Sequence, residues 1–435
     1  MRYICICRFS TPTEIQSLVL PSAVRDKLDI LGAAETGSGK TLAFLIPLIC
    51  RLLEIKPTEG QKKLKALILA PTRELVVQIK KYLDIFLKYT EFKAVCVVGG
   101  LSQQKQERII KHCPEVVVAT PGRFWALCEM FQSDSYLSDW SFLRVLVIDE
   151  TDRMTEKGHF QELENILDRI RKEAPAERQT LVFSATLTFV HLPPHRLFVQ
   201  QKSITTKDKL KQLISIIGLR PNRKVFDITK TTCTPEALVE AKMNCSNLLE
   251  KDTNVLYLLT RYKGRTLIFT NSIDASRRLH GILSKVRYDG TILMIHAKMI
   301  QKQRLVNLEK FSKTDNSVLI ATDVAARGLD IPGIDHVIHY QVAKTAESYV
   351  HRSGRTARIS QKGLAVMMVD PQDVKFYSRI CRNLNRDQFP VFPVDNPELM
   401  EILKERVAAA SQLDSLEHRM KKVTFSFSFC CKLLI

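Results

Sequence analysis

The chain has 435 residues, 45% apolar and 26% charged, enough to bury two or three conventional cores. A formal charge of +19 excludes an ordinary near-neutral surface and points to a polyanionic partner, either nucleic acid or an acidic membrane face. No apolar run approaches the roughly 20 residues that cross a bilayer, and the opening MRYICICRFS is too short in apolar residues for a secretory signal, so no membrane partner is expected.

The first strong element is AAETGSGKTLAFLIPLI, residues 33–49. Ala34, four residues, then Gly39-Lys40-Thr41 have the spacing of a phosphate loop, with alanine in place of the usual first glycine. Gly37 and Gly39 let backbone N–H groups turn inward around phosphate oxygens, flanked by Glu35, Thr36 and Ser38. Lys40 is expected at the β- and γ-phosphates and Thr41 at Mg²⁺, with the positive end of the next helix aimed at the anion.

A series of short β-rich runs follows: KALILA (65–70), KAVCVVGG (93–100), EVVVAT (115–120), RVLVID (144–149) and QTLVFSAT (179–186). They are continuous rather than alternating in apolarity, which predicts parallel strands covered on both faces. The run LVIDETDRM (146–154) sets three carboxylates, Asp149, Glu150 and Asp152, directly after one of these strands. A polar turn is the plain reading. A phosphate loop, however, needs an acid from a second strand end to hold Mg²⁺, mostly through water, and Asp149 is placed for it. Glu150 is then available to polarise the attacking water.

The stretch 192–254 contains the proline breaks HLPPHR, GLRPNRK and TTCTP, and a linker is expected near 219–230. A second series then begins: RTLIFTNS (265–272), TILMIHA (291–297), SVLIATD (317–323), IDHVIHY (334–340) and GLAVMMVD (363–370). The expected architecture is α/β, two doubly wound parallel-sheet domains in tandem over 1–220 and 221–395, each with five or more strands. A helical tail follows over 396–435, and its apolar end, like the opening residues, reads as an uncertain gene boundary. Eleven scattered cysteines without a C-x-x-C argue against zinc and for a reducing compartment, cytosol or nucleus.

From about Phe9 to Asp370 the sequence resembles the DEAD-box RNA helicases. FSTPTEIQ (9–16), AETGSGKT, PTREL (71–75), TPGR (120–123), DETD, SAT (184–186), LIFTNS, QKQR (301–304), TDVAARGLD (322–330) and HRSGRTAR (351–358) stand in the order of that family's blocks. The resemblance implies two RecA-like domains of the phosphate-loop NTPase type, and ATP and Mg²⁺ as cofactors. It implies that Gln16 reads adenine, and that Gly328 and Asp330 join the ATP site. Arg355 and Arg358 would reach across as arginine fingers, making the site complete only when the domains close. RNA-backbone contacts are expected from Pro71, Thr72, Arg73, Gly100, Thr120, Pro121, Gly122 and Arg123, and from Asn271, Arg304 and Thr322 in the second domain. Coupling between ATP and RNA is expected through Asp152, Ser184, Thr186, His351 and Arg352.

The implied activity is ATP hydrolysis coupled to sequence-indifferent RNA binding and local duplex melting by a monomeric motor. An ATP-gated RNA clamp with little turnover is the alternative, and a DNA translocase is a more distant one. DRMTEKGHF (152–160) resembles the nucleolar branch linked to large ribosomal subunit assembly, which implies pre-ribosomal particles as partners and a nuclear, nucleolar setting. Two departures stand out. Thr151 replaces the family's alanine and adds a hydroxyl inside a tight turn, which is expected to alter RNA stimulation while leaving hydrolysis intact. Only eight residues precede Phe9, so the upstream aromatic that the family stacks on adenine is expected to be missing.

Overall fold

The computed structural model describes residues 11–35, 37–55, 62–131, 136–154, 160–185, 206–228, 237–323, 331, 333–357 and 362–433. They form two compact units, the first running through residue 228 and the second starting at 237. The segment before Phe9, where the adenine-stacking aromatic is expected to be missing, falls outside the described residues, as do Thr36, Thr186, Gly328, Asp330 and Arg358.

The first unit opens with α1 (Glu14–Leu20), continued by a π-helical turn over Pro21–Arg25. It then alternates β1 (Asp29–Ala33), α2 (Lys40–Glu54), β2 (Ala66–Leu69), α3 (Arg73–Leu87), β3 (Ala94–Val97), α4 (Gln103–Ile110), β4 (Val116–Ala119) and α5 (Pro121–Met130). β5 (Val145–Ile148), α6 (Thr151–Met154), α7 (Phe160–Glu173), β6 (Gln179–Ser184), α8 (Thr206–Ile217) and β7 (Arg223–Asp227) complete it. The strands make one sheet in the order β3-β4-β2-β5-β6-β1-β7, every pairing parallel.

Adjacent residues on each strand enter opposite cores, because side chains alternate across a pleated strand. Ile30, Ile68, Val147 and Phe183 join Phe44, Leu48 and Ile79 on one face. Leu31, Leu67, Leu146 and Val182 join Leu127, Trp140 and Leu163 on the other. This double cover explains the continuous apolar runs, and the parallel order puts every strand's carboxyl end on one edge, where α/β sheets bind ligands.

The second unit has β8 (Leu238–Asn244), α9 (Leu248–Arg261), β9 (Thr266–Thr270), α10 (Ile273–Lys285), β10 (Thr291–Ile295), α11 (Gln301–Lys313), β11 (Ser317–Thr322) and β12 (His336–His339). α12 (Ala346–Ser353), β13 (Gly363–Val369), α13 (Val374–Asn383) and α14 (Pro397–Leu433) follow. Its sheet runs β10-β11-β9-β12-β13-β8, again parallel throughout.

Three strands escape the apolar pattern: β1, which begins at a buried aspartate, β7, which is largely exposed, and β8, a half-exposed edge. The stretch expected as a linker near 219–230 is therefore partly sheet. β7 pairs in register with β1, Asp29 beside Arg223 through Ala33 beside Asp227, so the first domain extends beyond residue 220. Arg220 anchors this return: its backbone N–H donates to Asp29 Oδ2 at 2.7 Å and its Nε to Oδ1 at 2.9 Å. The region after 396 is helical, and its first half is no loose tail. Leu403, Val407 and Ala410 of α14 are buried in the second core, and Lys285 of α10 pairs with Asp414 at 2.7 Å.

Candidate nucleotide site and RNA-facing strand ends

The phosphate loop leaves β1 at its carboxyl end and closes into α2. Gly39, at φ +93°, stands as the N-cap of α2, a conformation that glycine alone adopts without cost. A Cβ there would also strike the Gln16 amide and meet Thr13 Oγ1 at 2.8 Å. Gln16 is held by both ends: its Nε2 donates to Gly39 O at 3.0 Å and its Oε1 accepts from Thr13 N at 3.1 Å, closing a capping box at the start of α1. The glutamine expected at adenine thus clips α1 onto the phosphate loop. Thr13, its partner, was not singled out from sequence, although Thr-x-x-Gln is a legible capping signal.

Lys40 is buried and donates to Ala34 O and to Glu35 O, the latter at 2.8 Å, which ties the start of α2 back to the beginning of its own loop. Ala34 N in turn donates to Ser184 O at 3.2 Å, which joins the loop to the end of β6. Ser38 Oγ is enclosed without a hydrogen-bond partner among the described residues. Gly37 and Thr41 flank it on the exposed and half-buried sides of the loop.

The acidic turn follows β5, whose other neighbour in the sheet, β6, separates it from β1. Asp149 is buried and accepts from Glu150 N at 2.9 Å. Burial first, and the adjacent Glu150 second, push its carboxyl up to about 7, against the pull of the Lys40 cation. Glu150 is buried at φ +50°, a left-handed conformation that costs a side-chain-bearing residue free energy and is characteristic of functional turns. Thr151 is fully buried, and its hydroxyl donates to Phe183 O at 3.1 Å, with Ile148 O at 3.4 Å. The residue that departs from the family pattern therefore bolts the acidic turn to β6 one position before Ser184. Asp152 and Ser184 are buried beside it.

The remaining strand ends of this sheet carry the expected RNA-facing groups. Pro71 and Thr72 follow β2, and the Thr72 hydroxyl caps α3 by accepting from Leu75 N at 3.3 Å. Arg73 lies over the Gly99-Gly100 pair after β3; a Cβ on Gly99 would meet its Nη2 at 3.0 Å, and Gly100 sits at φ +78°. Thr120 and Pro121 begin α5, Gly122 is exposed there, and Arg123 has enclosed Nε and Nη2 atoms without a hydrogen-bond partner among the described residues.

In the second unit the expected residues converge on Arg352. Its Nε donates to Asp323 Oδ1 at 2.6 Å and its Nη2 to Asp323 Oδ2 at 2.7 Å, a two-point carboxylate clasp. Nη2 also reaches Asn271 Oδ1 at 2.7 Å, and Nη1 donates to Gln341 O at 2.8 Å. Asn271, expected at RNA, uses its other amide end on Val342 O at 3.0 Å, so its side chain is engaged within the protein. Thr322 Oγ1 is enclosed without a partner among the described residues, Arg304 and His351 are buried, and Arg355 is buried with its Nε on His351 O at 3.3 Å. Asp323 and Gln341 are the organising residues that pattern reading passed over.

A phosphate loop and an acidic strand end, both on the carboxyl edge of one parallel sheet, with a second such sheet downstream, define a two-domain nucleotide-binding α/β protein. The family profile DEAD/DEAH box helicase matches residues 13–192, and Helicase conserved C-terminal domain matches 250–360. ATP-dependent RNA helicase DDX24 of Mus musculus is 38% identical, aligned over 96% of this chain and 63% of its own. ATP-dependent RNA helicase mak5 of Schizosaccharomyces pombe is 38% identical, over 95% and 63%. The chain thus spans just under two thirds of the length of these relatives. Among solved structures, DEAD-box helicase Mss116 bound to ssRNA and UDP-BeF superposes with a TM-score of 0.77 at 26% identity, covering 94% of this chain and 79% of that one. The chain belongs to the DEAD-box helicases.

Proposed function

We propose that the protein is an ATP-dependent RNA helicase, hydrolysing ATP to ADP and phosphate to grip and locally melt RNA. The observation that carries this reading is the pairing of a phosphate loop that Lys40 holds closed with a buried acidic turn whose Asp149 feels the Lys40 charge. In this reading an arriving γ-phosphate draws Lys40 off the Ala34 and Glu35 carbonyls, and backbone N–H groups of 34–41 cradle the phosphates. Glu150 takes the proton of the attacking water. Gln16 positions adenine by bracing α1 against the loop. The set of donors fits Mg²⁺: Thr41 hydroxyl and Asp149 carboxylate are hard oxygen ligands, and Asp149 is held in a buried pocket that disfavours its charge until a cation arrives. When bound, Mg²⁺ supplies charge neutralisation on the transferring phosphate.

Arg355 and Arg358 keep the role that the resemblance implies for them, guanidinium charge toward the γ-phosphate during transfer. RNA lies on strand ends bearing Thr72, Arg73, Gly100, Thr120 and Arg123, hydroxyl, amide and guanidinium donors suited to sugar and phosphate oxygens. Binding is then sequence-indifferent and steeply dependent on salt. The solved relative Mss116, bound to ssRNA, supports RNA as the ligand. The catalytic unit is one chain, its setting the nucleus, and pre-ribosomal particles its RNA-bearing partner, on the resemblance of 152–160. ATP turnover measured with no nucleic acid, single-stranded RNA, or DNA of matching sequence tests the reading. Stimulation by RNA alone is expected; tight RNA binding without turnover, or a preference for DNA, overturns it.

A further inference from the structure

Helix α13 divides between a buried side and a side that carries only positive charge. Ile380 and Cys381 are buried, as is Leu384 just past the helix end, and the helix packs on α12. At roughly 100° per residue, Lys375, Arg379 and Arg382 fall within about 60° of one another on the opposite side, and all three are exposed. Exposed cations are ordinary on a surface helix when carboxylates stand three or four places away to pair with them. The sequence of α13, VKFYSRICRN, holds three cations and no acid. Lys375 and Arg379 are instead like charges at i,i+4, and Arg379 and Arg382 at i,i+3, so they repel. Lys375 also stands in the first turn, where the helix dipole disfavours a cation and no acidic residue offsets it.

The carboxylates around this helix are engaged elsewhere. Asp370 and Asp373 pair with the buried Lys251 at 2.7 and 3.1 Å, and Glu240 of β8 pairs with Arg386 at 2.5 Å. Asp387, exposed beyond the helix end, is the other acid of 371–389. None of the three stripe cations makes an ion pair among the described residues; Lys375 lies over the Phe376 ring at 5.1 Å, which leaves its charge unneutralised.

The position of the stripe selects its ligand. The second sheet is parallel, so β9, β11 and β13 end on one edge, and α13 starts shortly after β13 ends at Val369. Asn271 and Thr322, expected at RNA, follow and end β9 and β11, and β9 lies two strand spacings from β13, about 10 Å. The stripe begins at this edge and runs along the helix for about 10 Å, at 1.5 Å per residue. A nucleic-acid strand carries a charge on every nucleotide and can follow a row of cations without sequence preference. On the reading that RNA is the ligand, we propose that the outer face of α13 is an accessory RNA-binding surface, where Lys375, Arg379 and Arg382 hold phosphates of the strand beyond those held at the strand ends.

Fluorescence anisotropy of the full chain with labelled oligouridylates of about 8 and about 24 nucleotides, from about 50 to 200 mM salt, tests this. Replacing Lys375, Arg379 and Arg382 together with glutamine should weaken binding of the long RNA about tenfold, leave the short one unchanged, and lower the slope of log K against log salt by about 2. Arg379→Glu alone should weaken the long RNA as well. A control triple, Lys263→Gln, Lys310→Gln and Lys313→Gln, removes the same charge from exposed lysines of the same unit and should change little. Unchanged circular dichroism and melting temperature establish that each variant is folded. Long-RNA affinity and salt slope indifferent to the stripe overturn the proposal, as does an equal loss in the control. Polyglutamate or phosphatidylserine vesicles binding the stripe more tightly than the long RNA overturn it too, in favour of an acidic protein or a membrane. A chain that binds neither oligouridylate overturns the RNA reading itself, whereas one that binds both equally well with and without the stripe overturns this surface alone.

Discussion

The two sheets end in similar turns but stand in different electrostatic condition. At the edge of the first, Asp149 is buried beside another carboxylate, Glu150 sits at positive φ, and Ser38 and Arg123 hold enclosed polar atoms without partners among the described residues. At the edge of the second, Arg352 is clasped by Asp323, Asn271 and the Gln341 carbonyl. The first edge carries backbone strain in its acidic turn at Glu150, whereas at the second the Arg352 charge holds the local geometry. Substitutions in the first should then change chemistry and leave the fold standing, and those in the second should change the fold.

The largest expected effect is at Glu150. Glu150→Gln should lower RNA-stimulated ATP hydrolysis about a thousandfold with the melting temperature unchanged. Loss of stability in step with activity would erase the contrast between the edges. Next, Arg352→Ala leaves Asp323 without its clasp and should cost the second unit about 3 kcal/mol in chemical denaturation, the lower end for a buried pair because Asp323 is partly exposed. A loss below about 0.5 kcal/mol would show that the network is not structural.

Acid sharpens the comparison further. His339 is enclosed beneath the arginine helix, and burial, with the Arg352 charge adding to it, holds its pKa well below 6.5. The unfolded chain therefore binds a proton that the folded unit refuses. Stability is full above about pH 6.5 and falls with acid, by at most about 1.4 kcal/mol per pH unit from this group. Urea midpoints for the isolated transition of the second unit should drop between pH 7.5 and pH 5, and a flat profile would remove His339 from the account. The smallest effect is at Thr151. Thr151→Ala removes the donor to Phe183 O and should destabilise the first unit by about 1 kcal/mol, while changing the ratio of RNA-stimulated to basal turnover. An unchanged ratio would confine that hydroxyl to a structural role.

Ten of the thirteen strands among the described residues were legible because parallel strands covered on both faces read as unbroken apolar runs. β7 and β8 were not, since these edge strands are partly exposed and carry charge, and neither was β1, an interior strand whose DILGA run is broken by an aspartate and a glycine. The phosphate loop and the acidic turn were legible because their chemistry demands particular residues at fixed local spacing. The capping of Gln16 by Thr13 had a local signal as well. The clasp of Arg352 had none, because Asp323 and Asn271 are 29 and 81 residues away in the chain.

The amino-acid order by itself determined the doubly wound class and the site of the nucleotide loop, which follow from short-range periodicity and spacing, and its ordered blocks carried the resemblance to the family. Tertiary structure decided what each side chain touches: that Lys40 bonds the Ala34 and Glu35 carbonyls, that Thr151 fastens the acidic turn to β6, that Asn271 serves an arginine, and that Leu403, Val407 and Ala410 of α14 enter the second core. Those outcomes depend on which distant atoms come within about 3 Å of one another, and hydrogen bonding at that range is set by packing rather than by neighbours in the chain.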